Sequence, residues 1–304
     1  MNREPPHKSM GFFGIFKEAC KITFSWKKLF FQILLATILP LTILNLSDIQ
    51  ISDFIENHTY RDNKRARYIA HIITKIVYAI LTLLFYLLST SSVVYTVSCF
   101  YTSKDTKFEK VIGVFPKVWG RLLVTCLLFF FILVVFTIVY LVLLLIFVTR
   151  LHGNARLALI ICFSIPYLIV LIYIAVVWNI AMVVSVLEKA YGITALKRSK
   201  KLIYGKIWVS VAILVALEII FIGIIFAVSL LVVDGKRALS LVGKIFVGIA
   251  CYLLMVIMFH FSLVTQAVIY FVCKAYHNED MSHVAAHLDN SYVNLDPRGT
   301  AVPV

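Results

Sequence analysis

Long apolar stretches alternate with short polar segments along the whole chain. Crossing roughly 30 Å of hydrocarbon takes about 20 apolar residues in a helix. Stretches at about 29–46, 76–101, 122–148, 157–187, 207–233 and 239–273 meet or approach that length. Runs this long exceed any soluble buried helix, so the pattern predicts six spanning helices. The first is the shortest and carries Pro40, the second reaches back toward Ile69, and Pro166 is placed to kink the fourth.

Ahead of the odd-numbered spans the periodicity changes. Phe12, Ile15, Ala19, Ile22 and Trp26 step by three and four and share one helical face, with Lys17, Lys21 and Lys28 off it. Phe108, Val111, Ile112, Phe115 and Trp119 repeat the pattern against Lys107, Lys110 and Lys117, and Pro116 is expected to end or kink that helix. In a third segment Thr194 is placed to cap a turn carrying Leu196, Leu202 and Ile203, with Gly205 as the stop. Each segment combines a glutamate (Glu18, Glu109, Glu188) with a basic-aromatic corner, which raises the prospect of a threefold internal repeat. The expected fold class is an all-α polytopic membrane bundle: six transmembrane helices in three hairpins, each preceded by an amphipathic interfacial elbow helix. Residues 1–28 then form a cytosolic N-terminus and elbow, 29–273 the transmembrane domain and 274–304 a polar cytosolic tail.

Composition agrees. Of 304 residues, 62% are apolar and 14% charged, against about 45–50% and about 25% in soluble domains. This excludes a soluble enzyme, a secreted disulfide scaffold and a disordered regulator. The net charge of +14 is spread over short connections with no nucleic-acid motif, so no direct nucleic-acid partner is expected. Nineteen Lys and Arg flank the elbow side of the spans and eight the other, which places the elbows and both termini in the cytosol. The sequon at Asn57 falls in the largest opposite loop, where glycosylation would require a lumenal face.

The string Leu187-Glu188-Lys189-Ala190-Tyr191-Gly192-Ile193-Thr194-Ala195-Leu196-Lys197-Arg198-Ser199, continuing to Leu202, Gly205 and Trp208, resembles a signature in multi-pass membrane proteins. It looks like the membrane domain of bacterial glycerophosphodiester phosphodiesterases, over about twenty residues. With the corner at 117–125, most of the chain is similar to an uncharacterised plant transmembrane family, some members of which are described as binding a poly(A)-binding protein. The phosphodiesterase catalytic domain has no counterpart here, so the resemblance implies membrane architecture and no hydrolase activity.

Candidate chemistry is sparse. Glu218 is the one acidic residue within a span, and ionisable groups there are functional candidates by default. His260 lies at similar depth on the neighbouring span, so a Glu218–His260 pair is geometrically allowed. Asn179 and the run Ser89-Thr90-Ser91-Ser92 fall near the same level, where they could line a polar cavity or simply hydrogen-bond the helices together. Lys75 and Lys244 sit near the opposite ends of their spans and read as snorkelling anchors. Cys126, Cys162 and Cys251 read as small core hydrophobes, whereas Cys20, Cys99 and Cys273 lie on an elbow or at span ends where palmitoylation occurs. No nucleophile, base and oxyanion set is present, so neither an enzyme nor a cofactor or metal is expected. Lys197, Arg198, Lys200, Lys201 and Lys206, five cations in ten residues before the fifth span, are the expected anionic-lipid contact. The leading expectation is an endomembrane protein organising lipids or other membrane proteins through basic elbows. The alternative is a solute or lipid transporter with a midplane polar cavity.

Overall fold

Apart from short turns and connections, the described residues are helical in the computed structural model, which describes residues 10–44, 64–102, 106–149, 154–228 and 241–279. The helices run α1 Phe12–Ser25, α2 Lys27–Leu44, α3 Lys64–Tyr101, α4 Phe108–Gly113, α5 Phe115–Val148, α6 Asn154–Leu187, α7 Ile193–Ile203, α8 Ile207–Val228 and α9 Leu241–Tyr276. Six of them, α2, α3, α5, α6, α8 and α9, are long and apolar enough to cross a membrane. The chain is an all-α, multi-pass membrane bundle.

Local chemistry sets the boundaries. Pro40 has no N–H, and its ring would strike a carbonyl one turn earlier. Helix α2 opens into a π-turn over Leu34–Ile38 immediately before it, widening the helix there. Pro116 occupies the first turn of α5, where a missing N–H costs nothing, so the break with α4 falls at Val114 and the proline starts the span. Pro166 is carried inside α6.

The second helices of the three hairpins, α3, α6 and α9, pack on one another at the centre. Around them α2 packs on α3 and α9, α5 on α6 and α3, and α8 on α9 and α6. The elbows follow the same rotation: α1 lies on α9 and α8, α4 on α3 and α2, and α7 on α6 and α5. Each elbow therefore seats on the preceding hairpin, and the first closes the ring by seating on the last. The contacts of the three units follow one threefold pattern.

The inner helices are buried on every face over Ser89–Tyr101, Asn179–Leu187 and Leu263–Ala275, all at the elbow end. A helix wrapped on all sides must be apolar or small all round, and these segments are Val-, Ala- and Ser-rich. Toward the opposite end the same helices expose large side chains such as Ile73, Ile169 and Phe246. Polar bonds tie the outer helices on. Thr42 Oγ1 donates to Tyr252 Oη at 3.1 Å, and that hydroxyl donates to Leu39 O at 3.0 Å. Thr137 pairs with Tyr167 and Tyr140 with Ser164, both at 3.0 Å.

Candidate functional site

The third elbow joins the bundle through a knot of polar bonds. Gly192 precedes α7 with φ of 58°, a conformation glycine adopts without strain, and its N–H donates to Thr125 Oγ1 at 2.9 Å. Thr125 in turn bonds Ser185 Oγ at 2.8 Å, linking α5, α6 and the elbow. Thr194 is therefore not the cap: it lies inside the first turn, donating to Tyr191 O at 2.6 Å. Glu188, just past α6, accepts from Tyr270 Oη at 2.8 Å and from Arg198 Nε at 3.1 Å, while its carbonyl takes Arg121 Nη1 at 3.1 Å. The other edge of the Arg198 guanidinium forms a two-point bond with Glu279, beyond α9.

Arg198 thus bridges the two carboxylates that follow α6 and α9. Its bonds to Glu279 first, then to Glu188, hold the guanidinium more basic than usual against the effect of its burial. The bond from Arg198 holds Glu279 below the ordinary carboxylate range, again against burial. Both valences of the fork are occupied by protein, which corrects the expectation that Arg198 contacts lipid. Lys206 is also drawn in, donating to Met10 O at 3.4 Å and lying 5.6 Å above the Tyr276 ring. His277 Nε2 sits 3.1 Å from both Leu202 O and Tyr204 O, so the segment after α9 is clasped to the end of α7.

Lys197, Lys200 and Lys201 remain exposed on α7, whose other face buries Ala195, Ser199, Leu202 and Ile203. Beside them Tyr204 and Trp208 are 80% and 84% exposed, the aromatic-plus-cation surface that favours a headgroup layer. Helix α1 shows the same division: Ile15, Ala19 and Ile22 are buried, while Phe13, Lys17, Lys21 and Phe24 face outward. At its end Ser25, Trp26, Lys27, Lys28, Leu29 and Thr106 line a shallow depression of about 410 Å³ between the first and second elbows. The basic-aromatic corner was legible in sequence; its meeting with Thr106, eighty residues on, was not.

Glu218 and His260 do not meet. His260 is buried against the first elbow and span, with Nε2 3.5 Å from Thr23 Oγ1 and its ring 5.1 Å from that of Phe30. Glu218 is exposed on α8, so the Glu218–His260 pair is not formed. Asn179 is buried on α6. Ser89, Thr90 and Ser91 donate to Phe85 O, Tyr86 O and Leu88 O of their own helix at 2.7, 2.8 and 3.0 Å. Their hydroxyls thereby become small packing groups, which lets α3 approach its neighbours closely.

The cysteines divide differently from the expectation. Cys99 and Cys273 are 1% exposed, so an acyl transferase has no access to either thiol in the folded bundle. Cys20 is half-buried on α1. Cys126 is a core residue as expected, but Cys162 is exposed on the outer surface of α6 and Cys251 is intermediate. Asn57 lies outside the described residues, as does the side chain of Lys244. Among the described residues, no cluster of His, Cys, Asp and Glu could hold a metal ion.

No curated protein and no solved structure matches this chain. A family model does, over residues 1–299. By that match, which spans the elbows and all six long helices, the chain belongs to the family described as Domain of unknown function (DUF8558).

Proposed function

We propose that this protein is a non-enzymatic integral protein of an endomembrane that gathers anionic lipid, and through it membrane partners, at its elbow-bearing end. The observation that carries this reading is the outward face of α7. Lys197, Lys200 and Lys201 stand exposed there next to Tyr204 and Trp208, while Arg198 and Lys206 are engaged by the protein. The contact is accordingly three lysines, not five cations. Lys17 on the first elbow and Lys27 and Lys28 at the start of α2 are also exposed at the elbow end, where Lys21 pairs with Glu18 at 3.5 Å. The excess of Lys and Arg on this side supports a cytosolic placement of the elbows and termini. The cytosolic leaflet is also the anionic one, where each such lysine contributes about 1 kcal/mol.

The test replaces Lys197, Lys200 and Lys201 together by Gln, leaving Arg198 and Lys206 to hold the elbow. Purified from native membranes at low salt, the variant is expected to carry less anionic lipid than wild type. Raising salt should strip wild type similarly, since the Debye length falls from about 8 Å at 0.15 M to about 3 Å at 1 M. Equal anionic-lipid content in both proteins at low salt would sink the reading and leave these lysines as topology signals only. Glu218 exposed on α8 and His260 turned toward Thr23 favour this reading over a transporter built on the two as a pair.

A further inference from the structure

At the end of the bundle away from the elbows, the inner helices separate around a cavity of about 710 Å³, partly open to the outside. Its floor is made by one ring from each inner helix. Tyr86 of α3 stacks on Trp178 of α6 with centroids 6.0 Å apart and meets Phe259 of α9 edge-on at 6.2 Å. Above that floor the walls include Leu41 of α2, Leu83 of α3 and Phe130 of α5. One strip of α3 lines it with polar groups, Lys75, Tyr78, Thr82 and Tyr86, spaced three and four residues apart so that they share one face, and Trp178 adds its indole N–H and Cys126 its thiol.

The dimensions match one leaflet. Lys75 and Tyr86 are separated by about 16 Å along the helix axis, which is about half of a roughly 30 Å hydrocarbon layer. Lys75 also stands about 39 Å along α3 from Tyr101 at the elbow end, so it reaches the headgroup level of the leaflet opposite the elbows. The cavity therefore begins at a cation in the headgroup layer and ends on an aromatic floor at mid-membrane. Its volume lies in the range of about 300–1,000 Å³ that small-molecule sites occupy. Next to it Ile72, Ile73, Ile76, Val77 and Ile80 of α3 are exposed on the outer surface, so a lipid chain reaches it without crossing water.

The geometry points to a binding site for one acyl chain under an acidic head: the chain lies between α2, α3 and α5 down to the Tyr86–Trp178–Phe259 floor, and the head lies at Lys75. Within a bilayer, entering an apolar cavity gains the chain little, because lipid is equally apolar. Selectivity comes from the head, and Lys75 is the single cation among the described lining residues. A free fatty acid and one chain of an acidic phospholipid share this chemistry. The site lies at the opposite end from Lys197, Lys200 and Lys201, so it stands or falls independently of the function proposed above.

The experiment uses the full-length protein in nanodiscs of neutral lipid with three photoreactive probes: a diazirine-tagged hexadecanoic acid, the matched alcohol, and a phosphatidic acid carrying the tagged chain. Labelling is expected on peptides containing Tyr86, Phe130 or Trp178, and whichever acid labels at the lower concentration names the source. Ala79→Trp fills the cavity from an exposed position of α3, and should remove most of that label while the protein elutes as wild type. Lys75→Gln should raise the concentration needed for half-labelling by the preferred acid about tenfold, the scale of one charge-assisted bond, and leave the alcohol unchanged. Label spread over the outer surface and indifferent to Ala79→Trp would overturn the site. An equal effect of Lys75→Gln on acid and alcohol would overturn the role of the head.

Discussion

Replacing Arg198 by Met keeps an unbranched apolar stem and removes the charge, leaving Glu188 and Glu279 without the guanidinium that bridges them. The expected cost follows from their surroundings. The Glu188, Arg198 and Glu279 side chains are 20%, 26% and 30% exposed, so the site is neither open surface nor dry interior. Exposed pairs contribute about 0.2–1 kcal/mol, and removing one partner of a buried pair costs about 3–5 kcal/mol. A three-point guanidinium at a quarter exposure lies between, at about 2 kcal/mol. At about 2.1 cal/mol/K of unfolding entropy per residue over 304 residues, each kcal/mol moves Tm by about 1.6 °C, so the variant should melt about 3 °C lower in detergent. A thiol-reactive dye reads this directly, because Cys99, Cys126 and Cys273 are buried until the bundle opens. The effect should depend on pH in a defined sense. Glu279 is held below the ordinary carboxylate range by Arg198. Its contribution is therefore complete above the unfolded carboxylate pKa of about 4.3, and it disappears as pH falls through the lower folded value. The gap between wild type and variant should stay constant from neutral pH downward and close only in acid below that point. Adding Glu279→Gln to Arg198→Met should recover part of the loss by neutralising one of the opposed carboxylates. A variant melting within about 1 °C of wild type, or a gap that ignores acid, would refute the assignment of Arg198 as the clasp between α7 and the end of α9.

Three other outcomes are open to measurement. Gly205 has φ of 96°, and a Cβ there would come 2.6 Å from Tyr276 Cε1; Gly205→Ala should cost about 1–3 kcal/mol, seen as a lower melting point, with Tyr276→Ala relieving the contact but not the backbone strain. A membrane-permeant maleimide should label Cys162 in the folded protein and spare Cys99 and Cys273, and acyl-exchange labelling should vanish with Cys20→Ser alone; signal persisting on Cys99 or Cys273 would contradict their burial. In microsomes Asn57 should acquire a glycan while a sequon appended after Val304 does not, and the reverse pattern would invert the topology.

Hydrophobicity is a property of the chain, so run length alone determined that this is a six-helix membrane protein, and periods of three and four located the elbows. The faces of those elbows were equally legible: Ile15, Ala19 and Ile22 are buried as their spacing requires. Backbone chemistry at Pro116 and Gly205 likewise acts locally and marked real breaks. What the chain alone left open was which faces of all-apolar helices meet. An intramembrane helix carries apolar residues on its lipid side and its protein side alike, so periodicity carries no information about neighbours there. Glu218 and His260 share a depth and adjacent helices, yet helix rotation turns one to the outside and the other toward Thr23 and Phe30. The five cations before α8 look equivalent in sequence. Only tertiary contacts, with Glu188 ten residues back and Glu279 eighty-one residues on, separate Arg198 from the exposed Lys197, Lys200 and Lys201. The closing of the ring by α1 on α8 and α9 is of the same kind. It joins the two ends of the chain through the buried Ile15, Ala19 and Ile22, and the period of α1 marks that face without saying which helices it meets.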